Sequence, residues 1–264
     1  MADLTTAEPT PQVAEPPVVR IEPCARRVRV LFGGETVADT TRAVYLFEKG
    51  HLPLYYVPLD DVRTDLLVAT DHSTHCPRKG DARYWNVVVG DRVAENAVWN
   101  YPETIPTCPD ITGYVAFYWD RMDAWFEEDE QVHEHARDPY HRVDALRSSR
   151  HVQVVVGGEV VAETRRPVVL FETNLPERYY IPKVDVRMEL LTPTDHTSTC
   201  PYKGTSTYWT VTAGDTVLEN VAWAYPTPIP ECPKIENLVC FFDEKVDAVI
   251  VDGVPRNRPT TPWS

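Results

Sequence analysis

The segment Val28-Arg29-Val30-Leu31-Phe32-Gly33-Gly34-Glu35 decides the fold, because it occurs twice. Its second occurrence, 124 residues on, is Val152-Gln153-Val154-Val155-Val156-Gly157-Gly158-Glu159. Apolar, largely β-branched residues run up to a Gly-Gly pair, and Thr36 to Ala38 continue beyond it. That is the pattern of a hairpin with a tight two-residue turn. A repeat of this spacing predicts two copies of one domain, so the rest of the chain is read against the same offset.

The offset of 124 holds through Asp123-Ala124 and Asp247-Ala248. Leu46-Phe47-Glu48 pairs with Leu170-Phe171-Glu172, and Tyr55-Tyr56-Val57-Pro58 with Tyr179-Tyr180-Ile181-Pro182. Asp61-Val62-Arg63 returns as Asp185-Val186-Arg187, and Thr70-Asp71-His72 as Thr194-Asp195-His196. Cys76-Pro77-Arg78-Lys79-Gly80 returns as Cys200-Pro201-Tyr202-Lys203-Gly204. Tyr84-Trp85, Glu95-Asn96 and Trp99 return as Tyr208-Trp209, Glu219-Asn220 and Trp223.

Within each copy the periodicity is that of strands. Ala43 to Phe47 and Tyr84 to Val89 are β-branched and aromatic, and Gly90-Asp91 turns the second into a hairpin with Arg92 to Trp99. Tyr114 to Trp119 and Met122 to Phe126 read as a further hairpin. So do Leu238 to Phe242 and Val246 to Val251, which are too β-branched for a helix. Asp61 to Val68 is the best short-helix candidate, opened by an acidic cap. The prediction is a mainly β chain, two tandem copies of a small antiparallel β-barrel or sandwich-like domain with one short helix each. The expected boundaries are a disordered tail at 1–25, a first domain at 26–128, a linker packing between the domains at 129–150, a second domain at 151–255 and a tail at 256–264.

Twenty-four prolines against eleven glycines agree with short elements joined by rigid turns. The formal charge of −14 argues against a nucleic-acid partner and an anionic membrane surface, since both recruit clustered Lys and Arg. No apolar run approaches the ~20 residues of a spanning helix. The acidic, Pro/Thr-rich start lacks the regions of a secretory signal. Six cysteines without such a signal read as reduced thiols, so the expected compartment is cytoplasmic.

The sharpest chemical constellation is the repeated Asp-His followed by Cys-Pro-x-Lys-Gly. Proline after cysteine suits the first position of a helical turn, which would make Cys76 and Cys200 caps facing unpaired N–H groups. Lys79 and Lys203, three residues on, would share that face and favour thiolate, the nucleophilic form. Glu48 or Glu95 in one copy, and Glu172 or Glu219 in the other, offer the carboxylate of a Cys–Lys–Glu set. His72 and His196 are the rival bases. The alternative is a buried cysteine beside a tight turn, with the lysine solvated. A zinc reading uses His72, Cys76 and Cys108, with His196, Cys200 and Cys232 as counterpart. It lacks any C-x-x-C and offers only three ligands per copy, so no metal and no cofactor is predicted.

Aromatic residues are the candidates to line a small-molecule pocket: Tyr56, Tyr84, Trp85 and Trp99 in one copy, Tyr180, Tyr202, Tyr208, Trp209 and Trp223 in the other. Core and cross-strand pairing is the alternative for all of them. Arg63 and Arg187 are candidates to clamp a carboxylate or phosphate, or else to pair with Asp61 and Asp185.

Several runs also resemble a known family. They are His135-Ala136-Arg137-Asp138-Pro139-Tyr140-His141-Arg142-Val143-Asp144 followed by Ser148-Ser149-Arg150-His151-Val152, Leu170-Phe171-Glu172-Thr173, Arg178-Tyr179-Tyr180-Ile181-Pro182 and Cys200-Pro201-Tyr202-Lys203-Gly204. Together with Tyr225-Pro226 and Ile229-Pro230, they resemble tandem proteins of the family known as domain of unknown function 427, over nearly all of Val28 to Gly253. The resemblance implies a β-rich, soluble protein. It also carries a nucleotidyltransferase label, although this chain has neither a D-x-D pair nor a phosphate loop. It further implies that Arg137, Asp138, Tyr140 and Arg142 pack into one domain or close a pocket. Arg78 departs from the pattern where Tyr202 keeps it, which favours the second copy if only one site is active.

The expected function is a thiol-dependent hydrolase or transferase acting on a small polar molecule, with Cys200 and Cys76 as nucleophiles. A non-catalytic small-molecule binding module and a structural β-domain protein are the alternatives.

Overall fold

The computed structural model describes residues 18–261 and 264. The chain divides into two units, 1–130 and 131–264. The first holds β1 (Val19–Pro23), β2 (Val28–Phe32), β3 (Glu35–Thr40), β4 (Val44–Glu48), β5 (Leu54–Pro58), β6 (Leu67–Cys76), β7 (Gly80–Val89), β8 (Arg92–Asn100), β9 (Tyr114–Phe117) and β10 (Ala124–Glu127). They form two antiparallel sheets, one ordered β1-β4-β5-β9-β8-β7-β6 and one containing β10-β2-β3. The repeated Gly-Gly pair does make the β2–β3 hairpin, and Gly90-Asp91 the β7–β8 hairpin.

After β11 (Glu130–Val132), the second unit repeats the series. It holds β12 (Val143–Arg147), β13 (Val152–Val156), β14 (Glu159–Thr164), β15 (Val168–Glu172), β16 (Arg178–Tyr180), β17 (Leu191–Cys200), β18 (Gly204–Ala213), β19 (Thr216–Pro228), β20 (Cys240–Phe241), β21 (Ala248–Val251) and β22 (Val254–Pro255). Its sheets run β12-β15-β16, β17-β18-β19-β20 and β14-β13-β21-β22. A single bridge between Ile181 and Val239 joins the first two, where the first unit pairs Val57 with Val115. All these strand pairings are antiparallel and none of the sheets closes, so the architecture is mainly β and not a barrel.

The strands of the second unit's long sheet bury side chains on both faces. Val169, Tyr179, Trp209 and Val211 join a core with Val152, Val154, Val161 and Val249 from the facing sheet. Their neighbours Val168, Leu170, Tyr180, Tyr208 and Trp223 join a second core with Cys232 and Ile235 from the loop after β19. Two buried faces leave no polar position to alternate, hence the apolar run Val168 to Leu170. Each large side chain so buried contributes roughly 1.5–3 kcal/mol.

Several expectations need correction. Asp61 to Val68 is not one helix: it runs from the end of the 3-10 turn Leu59–Asp61 through a second, Thr64–Leu66, to the start of β6. The acidic residues lead into those turns, but Val62 and Leu67 are already extended. The strands β9 and β10 exist but are not a hairpin, since β9 pairs with β5 and β8 while β10 crosses to β2. The same holds for β20 and β21, which pair with β19 and β13. Burial of their apolar faces against two different sheets separates them.

Of the tail expected at 1–25, residues 1–17 lie outside the described residues, and Val19–Pro23 form strand β1 on the edge of β4. Its counterpart β12 lies within the segment read as linker and pairs with β15. Arg256 and Thr261, beyond the second domain's expected end, are docked as well. Arg256 donates to the Tyr179 hydroxyl at 2.9 Å, and Thr261 donates to Glu244 at 2.6 Å. Among the described residues no helix is long and apolar enough to cross a membrane.

Candidate functional site

The Cys-Pro-x-Lys-Gly motif is a hairpin turn. Cys200 ends β17 and Gly204 opens β18, the two forming the last rung of that ladder. The Lys203 amide donates to the Cys200 carbonyl at 3.3 Å, and the Lys203 carbonyl accepts from the Ile229 amide at 3.0 Å. Gly204 is required because its φ is +105° and a Cβ would meet the Thr227 carbonyl at 3.2 Å. The expected helix cap is therefore absent: no helix starts at Pro77 or Pro201. Proline serves the turn instead, where its fixed φ is an advantage.

This turn swings the Lys203 side chain inward against the end of β15. Its ammonium donates to both Glu172 oxygens, at 2.6 and 2.5 Å, and both side chains are nearly buried. His141 adds a third contact, its Nε2 lying 3.0 Å from Glu172 Oε1. Burial works to raise the Glu172 carboxyl, but the hydrogen bonds and charge of His141 and Lys203 outweigh it and hold the carboxyl below its ordinary value. For Lys203, burial opposes the charge, yet Cys200 and Glu172 beside it raise its pKa. Cys200 is partly buried, whereas Cys232 behind it is fully buried, and burial pushes that thiol up to about 11. Tyr208 and Tyr225 complete the wall.

The first copy repeats the arrangement. Lys79 donates to Glu48, the Lys79 ammonium lies 5.9 Å from the Tyr101 ring centroid, and Cys76 packs against the core containing Tyr84, Tyr101 and Cys108. Here Arg78 supplies the second cation, with its guanidinium 3.1 Å from Glu48 Oε1. Burial raises the Glu48 carboxyl, and Lys79 and Arg78 together bring it back below its ordinary value.

Of the expected site residues, Cys200, Lys203 and Glu172 come together, as do Cys76, Lys79 and Glu48. The other carboxylates, histidines and arginines put forward belong elsewhere. Glu95 and Glu219 are exposed on β8 and β19. Glu95 follows Ala94, which pairs with Val87, seven residues along β7 from Gly80. That puts it ~20 Å from the turn. Its neighbour Asn96 explains the repeated pair. Asn96 has φ +48° and accepts a 2.7 Å hydrogen bond from Thr70; Asn220 has φ +51° and takes the same bond from Thr194. These bonds pin a bulge in β6 and β17, where the register jumps from Ala69 to Ser73 and from Pro193 to Thr197.

His72 and His196 ride on that bulge. Their rings lie 4.5 and 4.6 Å from Tyr84 and Tyr208, exposed and on the order of 10 Å along the strand from the thiols. They are not bases within hydrogen-bond reach. Neither copy offers zinc ligands: among the described residues no three His, Cys, Asp or Glu side chains are grouped to hold a metal.

The aromatic residues are mostly core. Tyr56, Tyr84 and Trp99 are buried, as are Tyr180, Tyr208, Trp209 and Trp223, while Trp85 is half-buried. The Trp223 indole donates to the Tyr180 hydroxyl at 3.2 Å. Arg63 and Arg187 are exposed and already paired, Arg63 with Asp65 at 2.7 Å and Arg187 with Glu159 at 2.8 Å. Asp61 and Asp185 pair instead with Arg42 and Arg166. Two depressions, of about 640 and 300 Å³, are lined by residues such as Arg92, Glu95 and Arg121 in one case and Glu163, Arg166 and Asp185 in the other. Neither reaches a Cys–Lys–Glu cluster.

Tyr202, like the wall residue Tyr208, belongs to the site. Its ring stacks on His141 at 4.1 Å, and its hydroxyl accepts the Asp138 amide at 2.7 Å. Arg137 pairs with Glu231 at 3.1 Å, and the Arg142 amide donates to Thr173 at 2.9 Å. The run 135–142 therefore packs onto the second unit. His141, the residue missed from sequence, was legible only as a member of that run, since nothing in its spacing points to Glu172.

No curated protein matches the chain. A family model matches it twice, over residues 20–128 and 144–252, in step with the two strand series, and the chain belongs to that family, described as Domain of unknown function (DUF427).

Proposed function

We propose that the protein is a thiol-dependent enzyme acting on a small polar molecule, with Cys200 as nucleophile and Lys203 as the fixed cation beside it. What carries the reading is one juxtaposition: a partly buried thiol beside an ammonium that Glu172 holds, with His141 on the same carboxylate. A buried, prepositioned charge acts more strongly than one in water and costs no reorganisation at the moment of reaction. The Cys200 thiol loses its proton to solvent, and the thiolate sulfur attacks an electrophilic carbon. The S–C bond forms while an electron pair shifts to an oxygen facing Lys203. That pair then returns and the leaving group departs, taking a proton from solvent. Water or a second substrate releases the product, giving hydrolysis or transfer. Glu172 is a positioning residue, because both its oxygens are occupied by Lys203.

The experiment is the alkylation rate of each cysteine by iodoacetamide against pH, resolved by peptide mass spectrometry. Rapid modification of Cys200 below pH 7, lost in Lys203→Met but kept in Lys203→Arg, supports the reading. Cys232 is expected to react only in strongly alkaline solution. A Cys200 that reacts no faster than an ordinary thiol, with a pKa of about 8.5, favours instead a structural ion pair that ties the turn to β15.

A further inference from the structure

The two copies share the thiol turn but differ in charge. In the first, one carboxylate, Glu48, sits between two cations, Lys79 and Arg78. An arginine is charged at every accessible pH, so this set carries a surplus positive charge. The Arg78 side chain is 42% exposed, within reach of a bound molecule. It lies two residues from Cys76 in the same turn and is held there by a second hydrogen bond, 3.2 Å to the Lys49 carbonyl. His75 and Asp81, on the adjacent rung, pair with each other at 2.6 Å. In the second copy the position of Arg78 is Tyr202, and the second contact to the carboxylate comes from His141, which adds charge only when protonated, so with a neutral imidazole Lys203 and Glu172 cancel. All this stands on a chain with a formal charge of −14, against which a local cationic spot is conspicuous.

We propose that the first copy's site selects an anionic reactant, a small electrophile bearing a carboxylate or phosphate, and that Arg78 is the residue that selects it. The second copy's site takes a neutral polar one. This rests on the thiol reading above and adds a division of substrate class between the copies. Duplication with the turn kept and one residue changed is how a single chain would hold two specificities on one chemistry.

The test is the ratio of alkylation by iodoacetate, which is anionic, to that by iodoacetamide, which is neutral and nearly the same shape. It is measured at Cys76 and Cys200 in the full-length protein, at mildly alkaline pH and low salt. One unit charge within several ångström of the reacting sulfur changes such a ratio roughly threefold to tenfold. The ratio is expected to be higher at Cys76 than at Cys200 by that factor, and to shrink as salt is added. Arg78→Tyr should bring Cys76 down to the Cys200 ratio, and Arg78→Lys should keep it. Equal ratios at the two cysteines, or a Cys76 ratio unchanged by Arg78→Tyr, overturn the proposal. A Cys76 that is slow with both reagents yet prefers iodoacetate upholds anion selection and sinks the nucleophile. A fast Cys76 with no preference does the reverse. A Cys76 that neither reagent modifies in the folded chain overturns both.

Discussion

Replacing Glu172 by glutamine keeps the shape of the side chain and removes only its charge. The Lys203 side chain is 9% exposed and donates to both oxygens of that carboxylate. After the change it remains buried without a counter-ion, and His141 also loses its charged partner. An uncompensated buried charge of this kind costs about 3–5 kcal/mol, whereas an exposed pair is worth about 1 kcal/mol or less. With a urea dependence of about 2 kcal/mol per molar, the unfolding midpoint of the second unit should fall by roughly 2 M. Urea unfolding of the full-length protein, read by hydrogen exchange at the amides of β17 and β18, assigns the loss to that unit. The double change Glu172→Met with Lys203→Met removes both charges. It should recover to within about 1 kcal/mol of the parent, because two apolar groups have no desolvation penalty. A single Glu172→Gln within about 0.5 kcal/mol of the parent would refute the reasoning. So would a double change as damaging as the sum of its parts.

Three further outcomes are expected. A Cβ on Gly157, where φ is +60°, would lie 2.5 Å from the Ala213 carbonyl, while one on Gly158 meets open space. Gly157→Ala should therefore cost about 3 kcal/mol in thermal or urea unfolding and Gly158→Ala about 1 kcal/mol; equal costs would be inconsistent with the close approach. Asn220→Ala removes the Thr194 hydrogen bond and forces alanine to φ +51°, for about 2 kcal/mol. Asn220→Gly should recover half of that, and an Asn220→Gly as costly as Asn220→Ala would count against the strain.

The third outcome concerns pH. Glu172 titrates below its ordinary 4.5 in the folded chain, so its contribution is complete above about pH 4.5 and fades as pH falls through the lowered value. Lys203 titrates above its ordinary 10.5, so its contribution is complete below that and fades as pH rises through the raised value. The stability difference between parent and Glu172→Gln should shrink in acid as Glu172 protonates, and shrink on the alkaline side as Lys203, without its counter-ion in the variant, gives up its proton first. A difference that grows in acid has the wrong sign. Taking the difference isolates the pair from Asp243, whose carboxyl burial pushes up and which acts in the opposite sense.

The duplication, the β class and the two tight hairpins were legible because they are local: a Gly-Gly pair and β-branched runs constrain the backbone whatever surrounds them. The Cys-Pro-x-Lys-Gly motif stood out from repetition alone, and glycine at its end answers to a local φ. What the motif does was not local. Helix cap and hairpin turn both accept Cys-Pro, and the choice fell to the pairing of Cys200 with Gly204, a contact that exists only when β17 and β18 align. Likewise β9 and β10 are each clear strands, but their apparent hairpin dissolves because each finds its apolar partner in a different sheet. Among the carboxylates, Glu48 and Glu95 were equally eligible by residue type. Topology separated them, since β4 ends beside the turn and β8 carries Glu95 some seven residues away from it. His141 reaches Glu172 only because β12 lies alongside β15. Sequence thus determined which elements form and that they form twice. Long-range burial and strand pairing decided which charges meet, because a buried ion pair is set by what desolvates it and not by its neighbours along the chain.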